Sequence, residues 1–353
     1  MADPASVETS VEPLSGYTTL RLGGPARRMV RVSTEAELVD AVREVDDTGE
    51  PVLLVAGGSN LVVADEGFPG TAVLVRTTGV RVEQDPCSGA TVTVAAGESW
   101  DGFVERAVAE GWIGVEALSG IPGSIGATPI QNVGAYGQEV AQTLASVRCW
   151  DRLERTVRTI AAADCGFGYR TSRFKRDPRR FVVLGVTFQL RLGDLAAPVR
   201  YAELARRLGV EPGARVPSTE VREAVLDLRR RKGMVLDERD HDTWSAGSFF
   251  TNPLLGADQA AALPEDAPRW PQPDGTVKTS AAWLIERAGF GRGYGDHRVG
   301  LSGKHTLALT NRGGATTRDL LALAGEVQRG VLEKFGVRLV NEPVLVGCSL
   351  PTG

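Results

Sequence analysis

The chain has 353 residues, is 42% hydrophobic and 24% charged, and carries a formal net charge of −4 with a pI near 5.6. This is the make-up of a globular protein with room for two or three domains and a sizeable core. It excludes a basic nucleic-acid surface, and the absence of any run of about 18 apolar residues excludes a transmembrane helix.

The opening stretch MADPASVETSVEPLSG has neither the basic nor the apolar region of a signal peptide, so residues 1–16 read as a disordered lead-in and a cytoplasmic location is expected. Cys87, Cys149, Cys165 and Cys348 are spaced for neither a zinc site nor a disulfide framework, and are expected as reduced thiols with no metal. Thr34-Glu35-Ala36-Glu37 is a capping box that opens a helix with Leu38, Ala41 and Val42 on one face. Val52–Ala56 suits a buried strand, and Thr71–Arg76 is the next strand candidate. Val80–Val82 and Thr91–Ala95 are Val- and Thr-rich strands, followed by a helix over Ser99–Gly111 with Phe103, Val104, Ala107 and Val108 inward. Ala145–Trp150, Thr156–Ile160 and Phe181–Leu192, the last interrupted by Gly185, are further strands. Ser218 caps a helix ending in Arg229-Arg230-Arg231-Lys232-Gly233, and helices are predicted over Thr279–Gly289 and Thr317–Phe335. Val337–Val340 and Val344–Val346 close the series as strands. Helices and strands without strict alternation give an α+β class in three modules.

Two glycine clusters invite a ligand. The predicted strand at Val52 runs into Gly57-Gly58-Ser59-Asn60, which is either a tight turn or a backbone nest for phosphate. Residues 119–137, SGIPGSIGATPIQNVGAYG, form a long loop of small residues, and loops of this length inside a domain are usually functional. Two nucleotide signatures fail. In Gly289-Phe290-Gly291-Arg292-Gly293-Tyr294 a tyrosine stands where a dinucleotide fingerprint needs its third glycine, and Gly303-Lys304 lacks the upstream glycine and following hydroxyl of a P-loop. Ser248 in SAGSFFTNP also fails the G-x-S-x-G elbow, and by itself reads as a turn residue.

Taken in order, GGPA (23–26), AGGSNLV (56–62), SGIPGSIGATPIQNVGAYGQE (119–139), YRTSRFK (169–175), AGSFFTNP (246–253), TSAAWLIERAGF (279–290) and NEPVLVG (341–347) resemble the UDP-N-acetylenolpyruvoylglucosamine reductase family. The resemblance covers about residues 17–347. It implies an FAD-binding domain of the vanillyl-alcohol-oxidase (PCMH) type in two subdomains, at 17–77 and 78–215. A substrate-binding domain follows at 216–353, with a C-terminal segment returning to the active site. It implies FAD bound non-covalently, NADPH as co-substrate, and reduction of UDP-N-acetylglucosamine enolpyruvate to UDP-N-acetylmuramate in peptidoglycan synthesis by a monomer.

The resemblance also assigns roles. Gly57, Gly58, Ser59, Asn60, Gly123, Ser124, Ile125 and Gly126 would cradle the cofactor. Arg170 and Glu342 would stabilise the enolate left by hydride transfer, and Ser248 would protonate it at carbon. A serine is a weak acid, so it can serve only toward a strongly basic centre held close. Tyr169, Arg229, Lys232, Asn252 and Lys304 would contact the substrate, and Tyr201 resembles the substrate-covering tyrosine of one subclass. Departures are Thr251, where the family is often basic, and Thr18-Thr19 in place of Asn-Thr; the acidic segment 233–244 reads as a variable loop. The rival readings are another FAD-dependent oxidoreductase of this fold and an inactive UDP-sugar-binding module. Flavin attachment through histidine is disfavoured because His241, His297 and His305 all lie beyond the FAD-type region.

Overall fold

The computed structural model describes residues 12–351. These divide into two compact units, one made of Ala26–Gly57 and Pro69–Arg231, the other of Glu12–Pro25, Gly58–Phe68 and the chain from Lys232 onward.

The first unit opens with β1 (Ala26–Val32), α1 (Glu35–Thr48) and β2 (Val52–Val55). The Thr34 hydroxyl accepts from the Glu37 N–H, the Glu37 carboxylate accepts from the Thr34 N–H, and Gly49 stops the helix in the left-handed region. After β3 (Leu61–Val63), a strand of the second unit, comes β4 (Phe68–Val75), which lies centrally in the order β1–β4–β2 and runs parallel to β2.

A larger antiparallel sheet follows. Its strands are β5 (Val80–Asp85), β6 (Gly89–Ala95), β10 (Leu144–Asp151), β11 (Thr156–Ala161) and β12 (Phe181–Leu192), in the order β11–β10–β12–β6–β5. The short β7 (Trp112–Ile113) adds to β12, and β8 (Gly134–Ala135) with β9 (Gln138–Glu139) makes a separate hairpin. Gly185 does not interrupt β12. A Cβ there would stand 3.1 Å from the Val94 carbonyl, so glycine permits the close strand approach beside the irregular register at Arg148/Cys149 of β10.

The helix α2 (Trp100–Ala109), capped by Ser99, buries Trp100 and Phe103 against Phe188 of β12, with ring centroids 4.9–6.0 Å apart. A satellite core forms where α5 (Ser218–Arg231) lays Val221, Ala224, Val225 and Leu228 against Leu204 and Ala205 of α4 (Ala202–Leu208). The short α3 (Arg173–Arg176) buries Phe174. Ser218 turns out to be the first residue of α5, its N–H spent on the Asp194 carbonyl.

In the second unit β3 pairs in parallel with β18 (Val344–Val346). Between them in sequence lie β13 (Leu254–Leu255), α6 (Ala257–Ala261), β14 (Trp270–Pro271), β15 (Val277–Lys278), α7 (Ala281–Arg287), β16 (Val299–Leu301), β17 (Leu309–Asn311) and α8 (Thr317–Phe335). The N-terminus of α8 is held twice. Thr316 and Asp319 form a capping box, and the Asp65 carboxylate accepts from the N–H groups of Thr317 and Arg318. The buried faces of α7 and α8 share a core with Phe249, Phe250 and Leu339.

Two expectations change here. Of the lead-in, residues 1–11 lie outside those described, but Leu14–Tyr17 forms a 3₁₀ turn with Leu14 fully buried. Val337–Val340 alternates buried and exposed as a strand would, yet joins no sheet. The Gln328 side chain of α8 takes the Leu339 carbonyl at 2.7 Å, which a ladder would otherwise use. Among the described residues no helix is long and apolar enough to cross a membrane.

Candidate active site

In the first unit Gly57 meets the long glycine loop backbone to backbone. A Cβ on Gly57 would lie 2.6 Å from the Gly123 Cα, and one on Gly126 would lie 2.7 Å from the Ala96 Cβ. The loop is tied down by its own amides. Gly120 N–H donates to Asp101 at 2.6 Å, Ile125 N–H to the Glu98 carbonyl at 2.9 Å and Gly126 N–H to the Ala96 carbonyl at 2.8 Å. Those three donors are spent within the protein. The Ser124 hydroxyl in this loop is buried and has no hydrogen-bond partner among the described residues. An orphaned buried hydroxyl beside a wall without side chains fits a ligand with acceptor oxygens, as FAD has.

Arg170 lies beyond a second part of the same loop. Its backbone is left-handed (φ 51°), as are those of Asn132 (φ 46°) and Tyr136 (φ 48°). The guanidinium donates to the Gly134 carbonyl at 2.7 Å and stands 5.6 Å from the Tyr169 ring centroid. Asn132 donates to Glu139 at 2.7 Å and accepts from the Ala141 N–H at 3.1 Å, which fixes the loop beneath Arg170. Strained non-glycine residues persist only where their surroundings enforce them, and they gather at functional loops.

Tyr136, at the tip of the β8–β9 hairpin, meets Tyr201 edge-to-face at 5.6 Å. Burial pushes the Tyr136 phenol up to about 12, against the opposing pull of Arg229. Tyr201 is 46% exposed, and burial of its phenol raises it as well. Arg229 is 9% exposed and its guanidinium is held below its usual range by desolvation, with Tyr136 and Asp101 acting the other way. Arg231, by contrast, is spent on Asp227 in a surface pair.

In the second unit Ser248 and Glu342 come together from distant parts of the chain. The Glu342 N–H donates to the Phe249 carbonyl at 2.8 Å, Phe250 bridges Asn341, and Ser248 bridges Ala308. The Asn60 side chain reaches the Glu342 carbonyl at 3.5 Å, and Asn60 O accepts from the Val344 N–H at 2.9 Å. Gly58 precedes it at φ 59°, where a Cβ would strike the Tyr17 carbonyl. Phe249 and Phe250 do not alternate between core and site as a strand would have them. Both are buried in one core and pack edge-to-face at 5.1 Å, because the segment makes isolated bridges and no continuous strand. Gly247 is required by its conformation (φ 72°), with open space where its Cβ would be.

The other residues the sequence pointed to in this unit are less closely gathered. Asn252 Oδ1 accepts the Ala281 N–H at 2.9 Å and so helps start α7. Lys304 forms an ion pair with Asp240, and Asp242 accepts from Ser302 and Gly303, so the 233–244 segment is anchored. Lys232 is half-buried just beyond α5.

Sequence reading missed Asp101, Glu116, Asn132, Tyr136 and Arg76 as organisers. Arg76 donates to the Val55 and Ala56 carbonyls just ahead of Gly57. Only the NVGAYG spelling around Asn132 and Tyr136 offered a local signal; the rest act through partners far away in sequence.

The chain is similar to known proteins. Residues 26–159 match the family described as FAD binding domain, and residues 239–346 match that described as UDP-N-acetylenolpyruvoylglucosamine reductase, C-terminal domain. Over 341 residues the chain is 58% identical to the UDP-N-acetylenolpyruvoylglucosamine reductase of Cutibacterium acnes, covering 96% of this chain and 90% of the relative. The enzyme of the same name from Thermobifida fusca is 57% identical, with 96% and 98% covered. The crystal structure of the Thermus caldophilus reductase superposes with a TM-score of 0.64 at 26% identity, covering 95% of this chain and 97% of that one. With an FAD-binding region ahead of a reductase C-terminal domain, and this identity over almost its whole length, the chain belongs to the UDP-N-acetylenolpyruvoylglucosamine reductase family.

Proposed function

We propose that the chain reduces UDP-N-acetylglucosamine enolpyruvate to UDP-N-acetylmuramate with NADPH, as a monomer of the subclass in which Tyr201 covers the substrate. Bound non-covalently, FAD supplies the two-electron relay from NADPH to the vinyl carbon. Gly57, Gly58, Ser59, Asn60, Gly123, Ser124, Ile125 and Gly126 are the residues that would hold it.

The chain's own groups must then manage charge and a proton. Reduction of the vinyl ether leaves negative charge next to the substrate carboxylate. The Arg170 guanidinium binds that carboxylate and spreads the charge, a fixed cation costing no reorganisation. Glu342 acts on the same charge, as a protonated acid donating a hydrogen bond. Ser248 gives its hydroxyl proton to carbon and recovers one from solvent. Arg229 and Lys232 serve the diphosphate, while Tyr169, Asn252 and Lys304 serve the rest of the nucleotide sugar.

The observation that supports this reading is the backbone hydrogen bond from the Glu342 N–H to the Phe249 carbonyl at 2.8 Å, which brings the segment of the proposed acid beside the residue that follows Ser248. The test is stopped-flow comparison of wild type with Ser248→Ala. Flavin reduction by NADPH is expected unchanged, and reoxidation by the enolpyruvyl substrate slowed by a factor of about 10²–10⁴. A variant that turns over at the wild-type rate would remove Ser248 from the chemistry.

A further inference from the structure

Glu116 is fully buried, and among the described residues no cation is one of its hydrogen-bond partners. Its Oε2 accepts the Gly114 N–H at 2.6 Å; its Oε1 accepts the Ala197 N–H at 2.6 Å and the Gln138 side-chain amide at 3.0 Å. Gln138 in turn accepts from the Ala117 N–H at 2.8 Å, so its amide orientation is fixed. Burying a carboxylate among neutral donors is costly, and it persists only when every lone pair it turns inward is used. The three donors come from three separate segments, which a single carboxylate joins at one point.

Two of those segments carry the aromatic pair. Gln138 lies in β9, just after Tyr136 at the hairpin tip, and Ala197 lies shortly before Tyr201. Tyr136 sits at φ 48°, a conformation its own chain does not favour, and meets Tyr201 edge-to-face. We infer that Glu116 is a positioning residue: its carboxylate clamps the β8–β9 hairpin to the 197–201 segment, and so sets the Tyr136–Tyr201 pair for the nucleotide-sugar substrate. The substrate half of this inference rests on the reading of Tyr201 given above; the clamp itself does not.

The test uses the FAD-loaded full chain. Glu116→Gln keeps the shape but turns an amide N–H toward a backbone N–H, leaving one buried donor unmatched. Without substrate, hydrogen exchange at 134–139 and 197–202 is expected to quicken by about tenfold or more, with β10 and β12 changed less than about twofold. In turnover, KM for the enolpyruvyl substrate is expected to rise about tenfold with kcat near wild type, the signature of lost uniform binding. In a Tyr201→Ala background Glu116→Gln should add less than about twofold to KM, since both changes remove the same contact.

Exchange that is unchanged, or that spreads through β6, β10 and β12, overturns the clamp. So does a Tyr201→Ala variant with raised KM beside a Glu116→Gln variant with none. Local exchange gains with KM unchanged in both variants uphold the clamp and sink the substrate role of Tyr201. If Glu116→Gln does not fold, Gln138→Ala removes only the hairpin arm. It should quicken exchange at 134–139 alone, and equal exchange at both segments overturns the scheme.

Discussion

At the scale of single residues, the site is built from conformations and partners more than from unusual side chains. Arg170 needs its left-handed backbone to lay the guanidinium along the Gly134 carbonyl, and Asn132 needs its own to receive the Ala141 N–H. Each such residue costs on the order of 1 kcal/mol or more, supplied by the contacts that hold it. Glu342 shows how backbone pairing can place an acid: its N–H is bound to Phe249 O while its side chain stays half-buried. If that side chain serves as a proton-bearing donor to developing charge, Glu342→Gln retains shape and loses acidity. Reoxidation of reduced flavin by substrate is then expected to slow by about 10²-fold or more, while reduction by NADPH proceeds as in wild type. Equal slowing of both half-reactions, read by flavin absorbance, would point to a folding defect.

At the scale of elements, one carboxylate couples three pieces of the first unit. Asp101, in the first turn of α2, accepts the Gly120 N–H at 2.6 Å and a forked pair from Arg222 of α5 at 2.7 and 3.1 Å. Burial alone would push its carboxyl up, but the Arg222 fork and the Gly120 amide outweigh that and hold it below the ordinary 3.8. A carboxyl depressed in the folded state stabilises above its unfolded value, and that contribution is lost as pH falls through the folded one. Asp101→Asn is therefore expected to lower the free energy of unfolding by about 1–2 kcal/mol at pH 7, a figure discounted for the partial exposure of the carboxylate. Urea melts from pH 7 downward should show the gap between variant and wild type closing only below about pH 3.8. A gap that stays constant to lower pH would mean that the ion pair is not its source.

At the scale of the whole molecule, burial sorts the thiols. Cys87 is exposed, whereas Cys149 and Cys165 are buried in the core of the larger sheet and desolvation pushes both up to about 11. Iodoacetamide at pH 8 should label Cys87 at once and reach Cys149 and Cys165 only through unfolding of the first unit. Because most of the stretch that matches the FAD binding domain, residues 26–159, lies in that unit, FAD should slow labelling of the buried pair by the factor 1 + [FAD]/Kd and leave Cys87 untouched. Labelling of all three at one rate, read by mass spectrometry, would show that the sheet opens without global cost.

The sequence by itself determined whatever is written in neighbouring residues. Thr34 and Glu37 announce a helix start because both partners lie within one turn, and α8 follows from its apolar spacing. The Val- and Thr-rich runs became β5, β6 and β11. The ordered motifs spelled the family, and with it FAD, because glycines at backbone contacts admit no substitute. Only the tertiary structure decided what depends on distant partners. Val337–Val340 carries a strand's alternation but forms no ladder, since the Gln328 side chain takes the Leu339 carbonyl and backbone pairing is left to the Val340 carbonyl, which accepts from the Thr251 N–H. Phe249 and Phe250 turn to one core because bridges on either side set their backbone. The carboxylates of Asp101 and Glu116 look like ordinary surface charges in the chain, and become organisers only when folding brings Arg222, Gly120, Gln138 and Ala197 within hydrogen-bond reach. A local pattern fixes an element, because its energy is local; a buried polar group acquires its role from donors that the chain order does not reveal.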